Sequence, residues 1–284
     1  MNELTDPRMT LADHSIQPPG VVEPGRRAWI TRGANFVIEI SQAKAGATLS
    51  RIDQPDEYMV LLPDAPALVQ AGARSLSADA DSLLIVPPGA SSLTLQHDGL
   101  VMRVFSSYTK DMLALASNQQ PYLDARPDVA PLRTWPAPRG GYDLRCYRLA
   151  DHVAEGSKMR IFRCQHLMIN VLTRREQARD VRAMSPHAHA DFEQGSTTMY
   201  GTFEHHLRHP WTSDMHSWRL DEHMRTGSPS VTVMAPGVIH TSNNLGDVPA
   251  WLVDVFAPPR VDFSRQPGLV CNAADYPMPE DATL

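Results

Sequence analysis

A chain of 284 residues with 42% hydrophobic and 20% charged content has the make-up of a soluble globular protein of one large or two ordinary domains, which excludes disordered and fibrous classes. The formal charge of -6 comes without any block of like charges, and the arginines are scattered, so neither nucleic acid nor an anionic membrane surface is an expected partner. No apolar run approaches bilayer length, MNELTDPRMTLADHS carries acids and a proline where a signal peptide needs an apolar core, and Cys146, Cys164 and Cys271 are widely spaced and odd in number. A cytoplasmic protein with reduced, buried thiols is expected.

Residues 1–27, with Pro18, Pro19 and Pro24, show no sustained period and read as an N-terminal arm. From residue 28, WITRGANFVIEIS, EYMVLL, PALVQAG, DSLLIVPPG, LTLQ and LVMRVF are short runs rich in β-branched and aliphatic residues, separated by Gly, Pro, Asp or Ser. That rhythm predicts an antiparallel sandwich or barrel over 28–108. KDMLALAS opens a helix and a linker over 109–141, which holds Pro121, Pro127, Pro131, Pro136 and Pro138 and ends in Gly140-Gly141. DLRCYRL, RIFRCQHLMINVLT, STTMYGTFEHHL, SVTVMAPG and PAWLVDVFAPP then repeat the strand-and-turn rhythm over 142–263, and 264–284 form a tail.

DADSLLIVPPGASSLTLQ in the first half resembles SPSVTVMAPGVIHTSNN in the second, as expected of one β fold used twice. Alignment of the Pro-Gly turns sets Ser92 opposite His240; counting from the acids sets Glu57 opposite Glu193, and Arg51 and Asp53 opposite His187 and His189. The first copy therefore lacks imidazoles, Glu57 reads as a solvated or turn carboxylate, and His97 as a solvated ring beside a turn.

In HAHADFEQGSTTMYG, strand periodicity points His187 and His189 to one face, and Glu193 arrives after a turn near Asp191. With His240, three imidazoles and a carboxylate suit Fe, Mn, Ni, Co or Zn; the absence of thiolate argues against a structural zinc. Alternation after Glu193 sends Gly195, Thr197 and Met199 inward, making Thr197 and Met199 candidate pocket residues, although Met199 is equally read as barrel core. The stretch FEHHLRHPWTSDMHSWRLDEH reads as a lid or an exposed loop, with a second metal site as the alternative, and His205 or His209 is a candidate proton or hydrogen-bond donor.

His187, His189, Glu193 and Gly201, followed by Gly237, His240 and Asn244, resemble the two signature motifs of the cupin superfamily: His-x-His, three or four residues, Glu, about six residues, Gly; then Pro-x-Gly, two residues, His, three residues, Asn. Val181 and Ala235 depart from the family's Gly and Pro. The resemblance implies an all-β chain of two double-stranded β-barrel (jelly-roll) domains, a bicupin, with one divalent transition metal per chain on His187, His189, Glu193 and His240 of the second barrel. The first barrel is then structural or an interface, and a homodimer stays open. Cupins host many chemistries, so function has to come from the site. A metal-dependent enzyme acting on a small diketone, keto acid, enediol or aromatic diol is expected, with iron and a dioxygenase slightly favoured. An isomerase or lyase of sugar acids or small carboxylates is the runner-up, and a non-catalytic ligand-binding bicupin the third reading.

Overall fold

In the computed structural model, which describes residues 4–280, the chain forms two compact units, each assembled from three segments. The C-terminal unit takes 4–18, 118–131 and 171–255; the N-terminal unit takes 19–117, 132–170 and the segment from 256 onward. The arm, linker and tail are thus shared out between two β units. Thr10–Asp13 is an edge strand paired antiparallel with Ser230–Val233, and Val21–Glu23 pairs with Arg26–Ala28. Stretches of three or four residues have too few alternations to show a period.

In the N-terminal unit one sheet runs, in spatial order, Arg145–Arg148, Ser82–Val86, Tyr58–Leu62, Gly99–Ser106, Phe36–Ala43, Arg26–Arg32 and Val21–Glu23. The second sheet runs Thr48–Gln54, Gly89–Leu95, Ala67–Ala71 and Arg74–Ala78. Val60, Leu84 and Val101 of the first pack with Leu49, Val69 and Leu93 of the second in one buried cluster, the arrangement of a jelly-roll sandwich. The expected helix is present over Lys110–Leu115 and buries Met112 and Leu113.

In the C-terminal unit, four strands lie in the order Thr10–Asp13, Ser230–Met234, Gln194–Tyr200 and Trp251–Phe256. The other sheet is Glu222–Thr226, Phe203–Arg208 and Ile239–Asn244. Leu207 and Met224 of the smaller sheet pack with Met9, Met234 and Val238, so the core lies between the sheets. The segment expected as a lid therefore begins and ends in strands of this sheet, leaving only 209–221 as the connecting loop. At Gly201, φ is +81° and an added Cβ would lie 2.9 Å from both Ala250 Cβ and the Asp247 carbonyl oxygen, so glycine is required there.

Among the described residues no helix is long and apolar enough to cross a membrane. All three cysteines are free thiols; Cys164 is buried as expected, but Cys146 is exposed, because its strand lies at the edge of its sheet.

Candidate metal centre

His187 and His240 face each other across a short antiparallel bridge with two main-chain hydrogen bonds: His187 N–H to the His240 carbonyl (3.1 Å) and His240 N–H to the His187 carbonyl (2.8 Å). A third, from Gly237 N–H to the His189 carbonyl at 2.7 Å, ties the Pro-Gly turn to the His-x-His segment. The rings converge, with centroids 4.5 Å apart for His187–His240, 5.0 Å for His187–His189 and 5.1 Å for His189–His240. One nitrogen from each lies within 4.8 Å of the others, and this is the only group of three or more such ligands among the described residues.

Second partners set the imidazole orientations. His187 Nδ1 is 2.9 Å from the Ser185 carbonyl and His240 Nδ1 is 2.9 Å from the Val238 carbonyl, so both Nδ1–H groups donate to backbone and leave an Nε2 lone pair for an ion. His189 stacks on Phe192 at 4.4 Å. Cis donors on an ion bound at 2.0–2.1 Å lie about 3.0–3.4 Å apart, so modest ring movements close this group around zinc or a similar ion.

The carboxylate expected among them is not part of this group. Glu193 is buried, and one of its oxygens accepts from Arg126 Nη1 at 2.8 Å and from the Tyr122 hydroxyl at 3.1 Å. The oxygen facing the imidazoles is Gln194 Oε1, 2.9 Å from His189 Nε2 and 3.4 Å from His240 Nε2. The Gln194 amide cannot turn freely, because its Nε2 donates to Ser196 Oγ (2.9 Å) and Asp254 Oδ1 (3.1 Å). Asp254 also accepts from the Ser196 hydroxyl at 2.6 Å. The sequence held this signal: six residues separate position 194 from Gly201, and four separate it from His189.

The one-residue shift inverts the expected lining. Ser196 and Thr198 share the face of Gln194, whereas Thr197 lies opposite Val231 and Val253 on the other face, with Met199 also buried. Across the ladders Ser196 meets Thr232 and Thr198 meets Ser230. The hydroxyls of Thr198, Ser230 and Thr232, like that of Thr197 on the other face, are buried and find no hydrogen-bond partner within the protein.

Of the two histidines expected to donate, His205 is fully buried between the sheets, with Nδ1 2.7 Å from Ser242 Oγ. Burial first, then the neighbouring His240 and His206, push its pKa down to about 4. His14, also buried, is pushed down to about 4 by burial. Both rings are neutral in the fold and protonate more readily once it opens, so their stabilisation is complete above pH 6.5 and is lost as pH falls from 6.5 toward 4. Denaturant titrations across that window should show a loss on the order of 3 kcal/mol per histidine, reduced by about that amount in a His14→Gln variant.

His209 is a structural clamp away from the imidazole group. Its ring lies between Asp6 (Nδ1 to Oδ2, 3.4 Å) and Glu222 (Nε2 to Oε1, 3.1 Å). The hydrogen bond to Asp6 raises its pKa against the opposing effect of burial, and Glu222 adds to the rise. His209→Gln should destabilise the unit by about 1–3 kcal/mol in chemical denaturation and leave ion affinity unchanged.

The N-terminal unit shows what the same positions become without imidazoles. Arg51 pairs with Ser91 as His187 pairs with His240, so Ser91, one residue before the expected Ser92, is the counterpart of His240. Seven residues on, Tyr58 stands where Gln194 stands; its hydroxyl is 2.9 Å from Ser91 Oγ and its ring stacks on Phe105 at 5.0 Å. Arg51 is held by both Asp111 oxygens (2.6 and 2.9 Å), and a guanidinium repels a divalent ion. Glu57 proves buried, not solvated: it accepts from the Tyr276 hydroxyl at 2.7 Å, and burial raises its pKa. Each unit thus has a buried glutamate, held by a tyrosine hydroxyl, immediately before the inward-facing residue. His97 is exposed, as expected.

Each unit has the jelly-roll topology of the cupin fold. No protein-family model matches the sequence, and no curated protein matches it. Similar solved structures include an oxalate decarboxylase from Lactobacillus farciminis in complex with formate, at 15% identity and TM-score 0.59 over 92% of this chain and 88% of that one. Protein Ylba from E. coli matches at 11% identity and TM-score 0.58 over 89% and 91%, and AerE from Microcystis aeruginosa at 8% and 0.54 over 88% and 99%.

Proposed function

We propose that the C-terminal unit is a metal-dependent enzyme acting on a small oxygenated acid, with His187, His189, His240 and the Gln194 carbonyl holding one divalent transition metal. The observation that carries this reading is the uncharged donor set: four neutral ligands would leave the ion's charge to be met by substrate, which favours an anionic one such as a carboxylate or enediolate. The bound ion supplies Lewis-acid polarisation of a substrate oxygen. Asp254 and Ser196 hold the Gln194 amide so that its carbonyl, not its NH2, faces the imidazoles that would hold the ion. The unpaired hydroxyls of Thr198, Ser230 and Thr232 offer donors to further substrate oxygens, each offsetting about 1–3 kcal/mol of desolvation. Neutral His205 on the facing sheet has Nδ1 2.7 Å from Ser242 Oγ and Nε2 3.4 Å from Thr226 Oγ1, so any proton it shared would pass through those hydroxyls.

Lewis-acid chemistry fits a lyase or isomerase of small carboxylates, and the likeness to an oxalate decarboxylase fold supports that choice. A dioxygenase is the second reading, favoured by the three-imidazole set if the ion is iron. Protein loaded in turn with Mn, Zn, Co and Fe(II) and offered dicarboxylates, keto acids, diketones and catechols separates them. Turnover without oxygen uptake is expected; oxygen uptake confined to the iron form would establish the dioxygenase, and binding without turnover would establish a ligand-binding protein.

A further inference from the structure

We propose that the outer face of the three-stranded sheet of the C-terminal unit carries a second cation site, formed by His206 and His223 and suited to Zn, Cu or Ni. On the strand Phe203–Arg208, Phe203, His205 and Leu207 are buried, so alternation turns Glu204, His206 and Arg208 outward. His206 is directly opposite His223 on Glu222–Thr226 and opposite Thr241 on Ile239–Asn244.

The two Nδ1 atoms lie 2.6 Å apart, pointed at each other. His206 Nε2 is 2.6 Å from Asn243 Oδ1 and 3.7 Å from Glu204 Oε2, which places its proton on Nε2 and its lone pair on Nδ1, toward His223. A ring whose far nitrogen donates to a fixed oxygen while its near nitrogen offers a lone pair is the usual second-partner arrangement of a metal-bound histidine. Two imidazole nitrogens on a tetrahedral ion with bonds of 2.0–2.1 Å stand about 3.3 Å apart, so the rings need to separate by less than about 1 Å. His223 is exposed, and moving its proton from Nδ1 to Nε2 would free the second lone pair for an ion with no net proton release.

The surroundings favour a cation. The pair lies between the ion pairs Arg225–Glu204 (2.8 Å) and Arg208–Asp221, which bring a carboxylate to either side without adding net positive charge. His206 and His223 line a cleft of about 180 Å³ together with Asp221, Thr241 and His240, whose ring turns inward to the three-imidazole group while His206 turns outward. Borderline imidazole donors with open positions for water select Zn, Cu or Ni over Mg or Ca.

The test uses the full chain stripped with a chelator and then titrated with Zn alone, read by equilibrium dialysis with elemental analysis and a competing indicator. Two classes of site are expected. His206→Ala and His223→Ala should each abolish the weaker class and leave the tighter one, whereas His240→Ala should do the reverse, so failure of one site leaves the other readable. Both outer residues are at least partly exposed, and His206→Gln and His223→Gln serve if an alanine variant unfolds. Copper EPR in the His240→Ala background should show two nitrogen couplings that adding either outer substitution removes. Unchanged stoichiometry and spectra in both His206 and His223 variants would overturn the proposal and leave the pair an ordinary imidazole–imidazole hydrogen bond.

Discussion

Replacing His240 by alanine should lower divalent-ion affinity at the three-histidine centre by more than about 100-fold, while the far-UV and near-UV spectra of the fold persist. Loss of a mere supporting partner of a ligand costs about 10–100-fold, and His240 offers the ligand nitrogen itself. Its strand remains, because the two main-chain bonds to His187 do not involve the side chain. The ring is nearly inaccessible, at 2% exposure, so a cavity of imidazole size results, and the melting temperature should fall modestly without loss of cooperativity. Ion titration by calorimetry on wild type and variant checks this; equal affinities would remove His240 from the site.

The second large effect is on stability. Arg126→Met should destabilise the protein by about 3–5 kcal/mol, because it removes the guanidinium that the buried Glu193 carboxylate accepts from. The pair is nearly closed to solvent, at 9% side-chain exposure for Arg126 and 2% for Glu193. Burial opposes the guanidinium's charge, but its hydrogen bond to Asp128 and the charge of Glu193 together raise its pKa. Glu193→Gln added to Arg126→Met should recover a large part of the loss, since it removes the buried charge that Arg126 faced. Glu193→Gln alone should leave ion affinity at the wild-type value. Denaturant unfolding and ion titration on the three variants test both statements, and a drop in affinity for Glu193→Gln would return Glu193 to the ligand set.

Most of the fold could be read from the chain because the central strands are long enough to show their periods. Phe36–Ala43, Tyr58–Leu62, Ser82–Val86 and Ser230–Met234 are aliphatic runs bounded by turn residues, and each became a strand. The strands Thr48–Gln54 and Glu222–Thr226 escaped notice because TLSRIDQ and EHMRT are mostly polar, as expected of strands with an exposed face. The three imidazoles were legible from spacing, since a residue pair two apart and a histidine just after a Pro-Gly turn do not depend on distant contacts. Glu193 and Gln194 differ by one position, and a shift of one reverses which face a side chain takes. The motif's own glutamate, separated from the second histidine by three residues, favoured position 193; the structure engages it with Arg126 and Tyr122, from a segment about 70 residues upstream that no local pattern links to it.

Anomalous scattering from crystals of zinc-loaded protein tests the central claim most directly. A peak within about 2.0–2.2 Å of one nitrogen each of His187, His189 and His240 and of Gln194 Oε1 is the predicted result, with the Glu193 carboxylate still paired to Arg126 and no peak beside Arg51, Asp53 and Ser91. A peak coordinated by Glu193 with the Gln194 amide turned away, or one in the N-terminal unit, would contradict the account.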